Sequence, residues 1–469
     1  MLSFDCMISR TSIDILAINT YTHNIFRYCI ASLGVKGEKV QDLNPYFKNL
    51  AINYQLSTIN YQHMQFLENL PFDLHLLPKP VYVVGGAVRD SLLGRVRAEL
   101  DLDLVIPVGA VEVARKLATA YQAGFVLLDA ERQIARVVFP GMTVDIAQQD
   151  GASIRDDLNR RDYTLNAIAY DIQTGETIDP LNGSQDIQQG TIRMICRQNL
   201  VDDPLRLLRA YRQAAQLNFT IETNTRDTIR ELAPLLTTVA AERVLMELRY
   251  LLQSPNSSEW LAATVEDELL TGWLKIPVDT AFKNQLTQFD RSFELIKQHY
   301  PTLTIELERP VRDTISTSRR SIGKLTSLLS PELAVATEQL LRLTFSSAEI
   351  QVVTSVINYL PNLLQSELSL SEQYFWFKAV GNDFPLLIVL AIAKGVELVR
   401  LVDLIDRYLD PHSQVAHPTP LVSGHDLTQA LSIAPSPLIG KLLTEIQLAR
   451  IMGKIATADD AIEFARKLI

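Results

Sequence analysis

Two aspartates separated by one residue lie in an apolar stretch of this chain, and their type and spacing point to metal chemistry. Asp101 and Asp103 belong to Leu100–Ile106, whose apolar residues predict a β-strand. Because side chains alternate across a strand, both carboxylates are expected on one face. They would repel each other without a cation between them, and Mg²⁺ takes oxygen ligands while keeping substrate phosphates as further partners. The pair therefore predicts a Mg²⁺ site; a solvated edge strand is the alternative.

A pair of glycines supplies the second feature. The apolar run from Val81 to Val84 predicts a buried strand that ends at Gly85 and Gly86, and helical character follows as far as Leu93. Glycine has no Cβ, so backbone N–H groups at the start of such a helix can approach a phosphate closely. No Gly-Lys-Ser/Thr follows, which excludes a Walker P-loop. Phosphate at one end and metal at the other indicate a nucleotide; an ordinary tight turn is the alternative for the glycines.

Together, in this order and spacing, GGAVRD and DLDLV resemble the nucleotidyltransferase superfamily, and in particular the tRNA nucleotidyltransferase and bacterial poly(A) polymerase family. The resemblance implies that Gly85, Gly86 and Arg89 bind the nucleotide. It also implies that Asp101 and Asp103 are catalytic and hold the metal.

A third carboxylate is expected from the next predicted strands. Segments 124–128, 133–139 and 143–147 read as strands of a mixed sheet, after a helical segment at 111–121. Asp145 lies in the last strand, where the family carries an acid, and a two-metal phosphoryl-transfer site requires a third carboxylate. Asp145 is therefore predicted to be catalytic; the alternative is a strand-end acid that faces water.

The block DLNRRDYTLNAIAYD, residues 157–171, resembles the family motif RRDFTxNA, with Tyr163 where Phe is common. Its residues 164–170 read as a helix. Arginines just before that helix can hold phosphate or ribose through their guanidinium groups. By the match, Arg161 contacts the nucleotide, and Asp162 and Asn166 shape the sugar pocket. A surface Arg-Arg pair is the alternative.

The segment DDPLRLLRAYRQAAQLNF, from Asp202, reads as a helix with Pro204 in its first turn. Asp203 beside Arg206 offers an acceptor next to donors, which matches the edge of cytosine or adenine; uracil and guanine present a carbonyl where Asp203 needs a donor. The segment also matches the family's protein-template motif, which places base recognition on these two residues and phosphate contacts on Arg209 and Arg212. A helical salt bridge between Asp203 and Arg206 is the alternative.

Two further segments resemble structural parts of the family. In IDPLNGSQDIQQGTIRMI, residues 178–195, Asn182 replaces the first of two usual hinge glycines and Gly183 keeps the second. Asn tolerates left-handed backbone angles, so the turn is expected to survive. In AERVLMEL, residues 241–248, Glu242 and Arg243 are expected to brace the template helix.

Composition limits the class of protein. The 469 residues exceed one ordinary core, and the net charge of −10 argues against general nucleic-acid affinity, so RNA binding needs a local basic stripe. Two candidate stripes are present, one within 193–212 and one within 309–324: Arg193, Arg197, Arg206, Arg209 and Arg212; Arg309, Arg312, Arg319, Arg320 and Lys324. Three scattered cysteines and the lack of a long uninterrupted apolar stretch predict a cytoplasmic protein without a membrane segment.

The resemblance implies an α/β nucleotidyltransferase head with a mixed sheet, followed by an all-α neck, body and tail. The expected divisions are a disordered N-terminal extension at 1–63, a catalytic head at 64–195, a neck for base recognition and RNA binding at 196–255, a body at 256–410 and a tail at 411–469. The expected reaction is Mg²⁺-dependent transfer of nucleotides from CTP and/or ATP to the 3′ end of tRNA, without a nucleic-acid template and with release of pyrophosphate. No protein partner is inferred.

Three alternatives remain open from the sequence: a poly(A) polymerase, a nucleotidyltransferase that modifies proteins or small molecules, and a non-catalytic RNA-binding paralogue. The acid pair disfavours the last one. Only 14 residues separate Asp145 from Arg160. Family members that add the whole CCA end usually carry a longer flexible loop there, so the short connection resembles the branch that adds only the two cytidines.

Overall fold

A computed structural model describes residues 67, 70–95, 100–275, 280–312, 315–365 and 367–469. The extension expected at 1–63 lies outside the described residues. The chain divides into two compact units, one made of residues 1–76 with 90–97 and the other of residues 77–89 with 98–469. All the predicted site residues belong to the second unit.

A mixed seven-stranded sheet forms the first part of the second unit, as the mixed strand pattern predicts. Its strands lie in the order β3-β4-β5-β2-β1-β6-β7, with β2 and β5 parallel and the other neighbours antiparallel. The strands are β1 Tyr82–Val84, β2 Leu100–Ile106, β3 Gly124–Asp129, β4 Ile134–Phe139, β5 Met142–Gln148, β6 Ala169–Asp171 and β7 Thr177–Ile178.

The two faces of this sheet are covered differently. Helix α1 (Gly86–Leu92) follows β1, and helix α2 (Ala110–Tyr121) packs on β3, β4 and β5. On the opposite face, helix α3 (Ile154–Asn159) packs Ile154 and Leu158 against Val84 and Val105. Because Asp101 and Asp103 share a face with Val105, both acids lie on the α3 side of the sheet.

The segment 164–170 is not a helix, contrary to the sequence prediction. Residues Thr164–Asn166 form one 3₁₀ turn, and the chain then enters β6, whose Ala169 pairs with Val84 of β1. Pairing with a central strand decides this conformation over the local pattern.

Asn182 adopts a left-handed conformation, with φ 56°, so the expected turn is confirmed. Helix α4 (Gly183–Gln189) begins at the next residue. A Cβ on Gly183 would collide with the carbonyl oxygen of Thr164, so this position requires glycine.

Short helices and a two-stranded parallel sheet follow. They are β8 Thr191–Ile192, α5 Arg197–Asp202, α6 Leu205–Leu217, β9 Thr220–Ile221, α7 Thr223–Leu232, α8 Ala241–Gln253 and α9 Ser257–Glu266. The helix expected from Asp202 is interrupted: Asp202 ends α5, and Asp203 is extended, with φ −140° and ψ 91°. A residue before proline is disfavoured in the α region, and Pro204 caps α6 instead of lying inside it.

The rest of the chain is almost entirely helical, as expected. Its elements are α10 Thr280–His299, α11 Pro301–Glu308, β10 Pro310–Arg312, β11 Ile315–Ser318, α12 Arg319–Thr326, α13 Leu333–Arg342, α14 Ser347–Gln365, α15 Leu370–Val380, α16 Phe384–Ala393, α17 Val402–Leu409, α18 Gly424–Leu431, α19 Pro437–Ile451 and α20 Ala458–Arg466. Further 3₁₀ turns are Leu74–Leu76, Ala233–Thr238, Gly381–Asp383 and Leu398–Leu401.

One stretch of the described chain, Leu370–Ala393, is long and apolar enough to cross a membrane by length and composition alone. It comprises α15, a 3₁₀ turn and α16, and 67% of its most apolar window is buried inside the protein. Core helices of soluble proteins pass the same test, so the stretch is weak evidence for a membrane span.

Candidate active site

A row of charged residues crosses three adjacent strands on the α3 side of the sheet. The strand register places Arg136 of β4 opposite Asp145 of β5, and Asp145 opposite Asp103 of β2. In the neighbouring row, Thr143 lies opposite Asp101. Residues directly opposite each other share a face, so the sheet gathers the three predicted carboxylates as the sequence suggested.

The outer two carboxylates are each held by a neighbour on the next strand. The Thr143 hydroxyl donates to Asp101 Oδ1 at 2.6 Å. The guanidinium of Arg136 donates from Nε and Nη2 to the two oxygens of Asp145, at 2.7 and 2.8 Å. Such a bidentate pair fixes the orientation of the carboxylate as well as its charge.

Asp103 lies between these two fixed carboxylates. Burial raises the pKa of Asp103 to about 6, from an ordinary value of 3.8, and the negative charges of Asp145 and Asp101 act in the same direction. The guanidinium groups of Arg161 and Arg209 oppose that rise. The surroundings therefore disfavour the ionised form of Asp103, and a bound cation would stabilise it.

The donor set fits a hard divalent cation held by Asp101 and Asp103. Mg²⁺ is usually bound through one or two carboxylates together with substrate phosphates, and two strand-mounted carboxylates provide this. Across the described part of the chain, no group of three or more His, Cys, Asp or Glu residues is placed to hold a metal. Asp145, the third predicted carboxylate, is bound by Arg136.

Gly85 brings the end of β1 against these carboxylates. Its φ is +70°, and a Cβ there would lie 3.2 Å from Asp103 Oδ2 and 3.4 Å from Arg161 Nη1. Any other residue would be strained in this conformation and would crowd both side chains. Arg161 is held from behind, since its Nε and Nη2 donate to Asp157 Oδ2 at 3.3 and 3.0 Å. Gly85, Asp103 and Arg161 thus meet at one point.

A buried hydrogen-bond network joins helix α1 to Asp162 and Asn166. Arg89 Nη1 donates to Asn166 Oδ1 at 2.7 Å, and the Asn166 amide donates to Asp162 Oδ1 and to Gln213 Oε1, both at 2.9 Å. Asp162 also accepts from Arg209 Nε at 2.9 Å. Four predicted nucleotide-binding residues therefore take part in one buried network.

Asp162 stays ionised although it is buried. Burial alone would raise the pKa of its carboxyl, but the charge of Arg209 and hydrogen bonds from Asn166, Arg209 and the Tyr163 backbone hold that pKa well below its usual range. The same ion pair raises the pKa of Arg209 above its ordinary value. The pair is therefore charged at any pH near neutrality.

Both predicted phosphate ligands of α6 are paired with Glu247 of α8. Arg212 Nε lies 2.5 Å from Glu247 Oε2, and Arg209 Nη1 lies 3.7 Å from Glu247 Oε1. Arg212 also donates to Gln216. The side chain of Arg209 is 34% exposed and that of Arg212 is 16% exposed, so Arg209 is the more accessible of the two.

The two predicted base-reading residues lie at the start of α6 but contact other groups. Both oxygens of Asp203 accept from Arg243 Nη2, at 3.2 and 3.1 Å. Arg206 Nη1 donates to the carbonyl oxygens of Arg160 and Asn199 at 2.8 and 2.9 Å. The ion-pair partner of Asp203 is therefore Arg243, which braces this end of the helix as expected.

Several members of the two basic stripes pair with carboxylates, and one member, Lys324, is a correction to the sequence prediction. In the first, Arg193 pairs with Asp186 and Glu222, and Arg197 pairs with Glu231; Arg209 and Arg212 are paired as described. In the second stripe, Lys324 is buried against Ser257 and Asp290, so it cannot contact an RNA backbone. Arg319 and Arg320 pair with Asp383 and Glu308.

Sequence reasoning missed four residues that hold the site: Arg136, Thr143, Gln213 and Glu247. Glu247 is the second glutamate of the ER-x-x-x-EL segment, so the motif contained a signal that was not used. The other three act through cross-strand or interhelical neighbours that spacing along the chain does not reveal.

Comparison with known proteins identifies the family. Residues 81–193 match the poly A polymerase head domain, 218–277 the "probable RNA and SrmB-binding site of polymerase A", and 314–465 the tRNA nucleotidyltransferase domain 2. The chain is 44% identical to a CC-adding tRNA nucleotidyltransferase of Synechocystis sp. over 86% of this chain and 96% of that protein. It is 29% identical to an A-adding tRNA nucleotidyltransferase of Deinococcus radiodurans over 83% and 96% of the two chains.

A solved structure, a CCA-adding enzyme in complex with ATP, has the same fold, with a TM-score of 0.63 at 22% identity over 90% of this chain and 94% of that one. The sequence resemblance and the expected fold class are confirmed. The chain belongs to the tRNA nucleotidyltransferase and poly(A) polymerase family and is a nucleotidyltransferase of this metal-dependent family.

Proposed function

We propose that this chain adds the two cytidines of the CCA end to tRNA, using CTP without a nucleic-acid template and releasing pyrophosphate. The observation that carries the restriction to cytidine is the short, fixed connection between β5 and α3. The 44% identity to a CC-adding tRNA nucleotidyltransferase supports the same activity. We also propose that the chain is divided into head, neck, body and tail at the bounds given above, and that the protein is cytoplasmic.

The connection consists of residues 149–153 and is fastened at several points. Ser153 caps α3, with a reciprocal hydrogen bond between Ser153 and Asp156. The backbone N–H of Asp150 donates to Asp157 at 3.2 Å, and the carboxylate of Asp150 pairs with Arg160. A segment this short and this well bonded lacks the reach to readjust the template helix from cytosine to adenine.

The roles of the residues follow from their positions. Asp101 and Asp103 would hold Mg²⁺, which when bound activates the primer hydroxyl and stabilises the leaving pyrophosphate. Arg161, beside Asp103, would hold the triphosphate. Asp145 would orient the 3′-hydroxyl of the primer. We propose Asp203 and Arg206 for the base edge, and Gly85, Gly86, Arg89, Asp162, Asn166, Arg209 and Arg212 for the remaining nucleotide contacts.

Incubation with tRNA transcripts tests the proposal directly. With CTP alone, a tRNA ending at the discriminator base is expected to gain two residues, and added ATP should extend it no further. Products are resolved at single-nucleotide resolution, with each labelled nucleoside triphosphate supplied separately. Efficient ATP incorporation after the second cytidine would indicate a complete CCA-adding enzyme. Long adenylate tails would indicate a poly(A) polymerase, the alternative favoured by the match to the poly A polymerase head domain.

Base selection gives a separate prediction. Asp203→Ala removes the acceptor proposed to face the exocyclic amine of cytosine, so UTP should be incorporated about tenfold or more better relative to CTP than by the wild type. Relative kcat/KM values for the four triphosphates measure this. Arg243→Ala is the control, because it removes the ion-pair partner and leaves the acceptor in place. Unchanged ratios in Asp203→Ala would leave only the ion pair with Arg243 as the role of Asp203.

A further inference from the structure

The charge row of the sheet ends at Arg136, a residue to which the reaction outlined above gives no role. The side chain of Arg136 is 40% exposed and that of Asp145 is 22% exposed, so the pair is accessible to solvent. A bidentate ion pair at an exposed position costs the entropy of a long side chain and contributes little to stability by itself. Its location beside the metal-binding carboxylates suggests a different use.

Strand geometry makes the contact specific to the site. Arg136 and Asp145 are directly opposed in the β4–β5 ladder, and Asp145 is directly opposed to Asp103. The sequence of charges along this row is therefore positive, negative, negative. The fields of Asp145, Asp101 and Asp103 all reach the Arg136 guanidinium. The arginine thus offsets one of three neighbouring negative charges without contacting either proposed metal ligand directly.

We propose that Arg136 is a positioning residue of the active site. It holds Asp145 in the orientation that receives the primer hydroxyl, and it lowers the negative charge around Asp101 and Asp103. Each oxygen of Asp145 accepts one guanidinium N–H and keeps a second acceptor direction for the substrate. The role toward the primer rests on the proposed function; the effect on charge does not.

Three variants separate charge from geometry. Arg136→Gln removes both, and Arg136→Lys keeps the charge but loses the bidentate fork. Arg115→Gln is the matched control. Arg115 is exposed on α2 and stacks over Phe125 at 4.5 Å, on the opposite side of the sheet. The substitution Arg115→Gln removes one positive charge and leaves the face of the sheet that carries Asp101 and Asp103 unchanged.

The first measurement is the affinity of the protein for Mn²⁺ in the absence of RNA and nucleotide. The concentration of free Mn²⁺ is measured by electron paramagnetic resonance. Arg136→Gln should bind Mn²⁺ about fivefold more tightly, because a positive charge near the carboxylates is gone. Arg136→Lys and Arg115→Gln should stay within about twofold of the wild type. The double variant Arg136→Gln/Asp145→Asn should also return to the wild-type affinity, since both charges of the pair are removed.

The second measurement is steady-state transfer from CTP to tRNA. Both Arg136→Gln and Arg136→Lys should lower kcat by about tenfold while the KM for CTP is unchanged, because the orientation of Asp145 is lost in both. Arg115→Gln should be unaffected.

Mn²⁺ affinity of Arg136→Gln equal to that of Arg115→Gln would overturn the charge role, and unchanged kcat would overturn the positioning role. A lower melting temperature with neither effect would reduce Arg136 to a structural residue, which also overturns the proposal. If the wild type fails to use tRNA and CTP, the proposed function fails, whereas the Mn²⁺ measurement still decides the role of the charge.

Discussion

Replacing Asp103 by alanine is expected to lower nucleotide transfer by more than about a thousandfold, because it removes one of two proposed metal ligands. Asp101→Ala should have the same effect. Transfer of labelled CTP to tRNA measures this. Asp227→Ala is a suitable control, since Asp227 is 60% exposed and pairs with Arg230 at the surface of α7. Turnover of the Asp103 variant within a few-fold of the wild type would refute the catalytic assignment.

Loss of the Asp103 carboxylate is also expected to stabilise the metal-free protein against unfolding. Because the pKa of Asp103 is raised to about 6, the folded protein holds this proton more tightly than the unfolded chain does. Metal-free protein should therefore lose stability as the pH rises from about 4 to about 6, and the loss persists above that range. Asp103→Asn removes the effect, so at pH 7.5 it should be more stable than the wild type by about 1 to 2 kcal/mol, and near pH 4 it should show no gain. Thermal unfolding in a chelator tests this; a lower melting temperature at pH 7.5 would contradict it.

Arg209→Ala is expected to cost about 2 to 4 kcal/mol of folding stability. It should also weaken the binding of CTP and of ATP to the same degree. The substitution leaves Asp162 buried without its ion-pair partner, and breaking such a pair from one side is strongly destabilising. Denaturant unfolding measures the loss. Arg243→Ala makes the comparison, because its pair with Asp203 is exposed and should cost at most about 1 kcal/mol. Equal losses in the two variants would show that the buried network contributes nothing special.

The pH dependence of this loss has a defined sign. The pKa of Asp162 lies well below its usual range in the folded protein, so the stabilisation is present above pH about 4 and declines as the pH falls further. In Arg209→Ala the unpaired Asp162 can take up a proton in acid. The difference between wild type and variant should therefore narrow below pH about 4, and a constant difference would contradict the assignment.

Some of this architecture could be read from the sequence and some could not. The strand Leu100–Ile106 agrees with its prediction residue for residue, because acids and apolar residues alternate from Leu100 to Leu104 and fix which side chains share a face. The segment 164–170 is not the predicted helix, and all of its residues from Thr164 to Ala169 are buried, so the apolar pattern offers no period that separates a strand from a helix. The break at Asp203 had a local signal, the following proline, which outweighs helical spacing.

The candidate site was predicted to a similar extent. Acidic pairs and glycine pairs identify themselves by type and spacing, so Asp101, Asp103 and Gly85 were found and lie together. Arg136, which holds Asp145, could not be predicted, because it acts from a neighbouring strand. Glu247, which pairs with Arg209 and Arg212, lies in a motif whose signal was not used. Some arginines of the predicted basic stripes, such as Arg193 and Arg212, prove to be ion-paired, and only folding reveals their carboxylate partners.

The buried network around Asp162 also has an evolutionary consequence. Asp162, Arg209, Glu247 and Arg212 form a chain of alternating charge in which each member balances the next. A lineage that lost Arg209 would leave the buried Asp162 without its ion-pair partner, and a compensated pair of changes would pass through that costly intermediate. Among descendants of this sequence, these four positions should therefore be inherited together, even where the surrounding surface of α6 and α8 drifts freely.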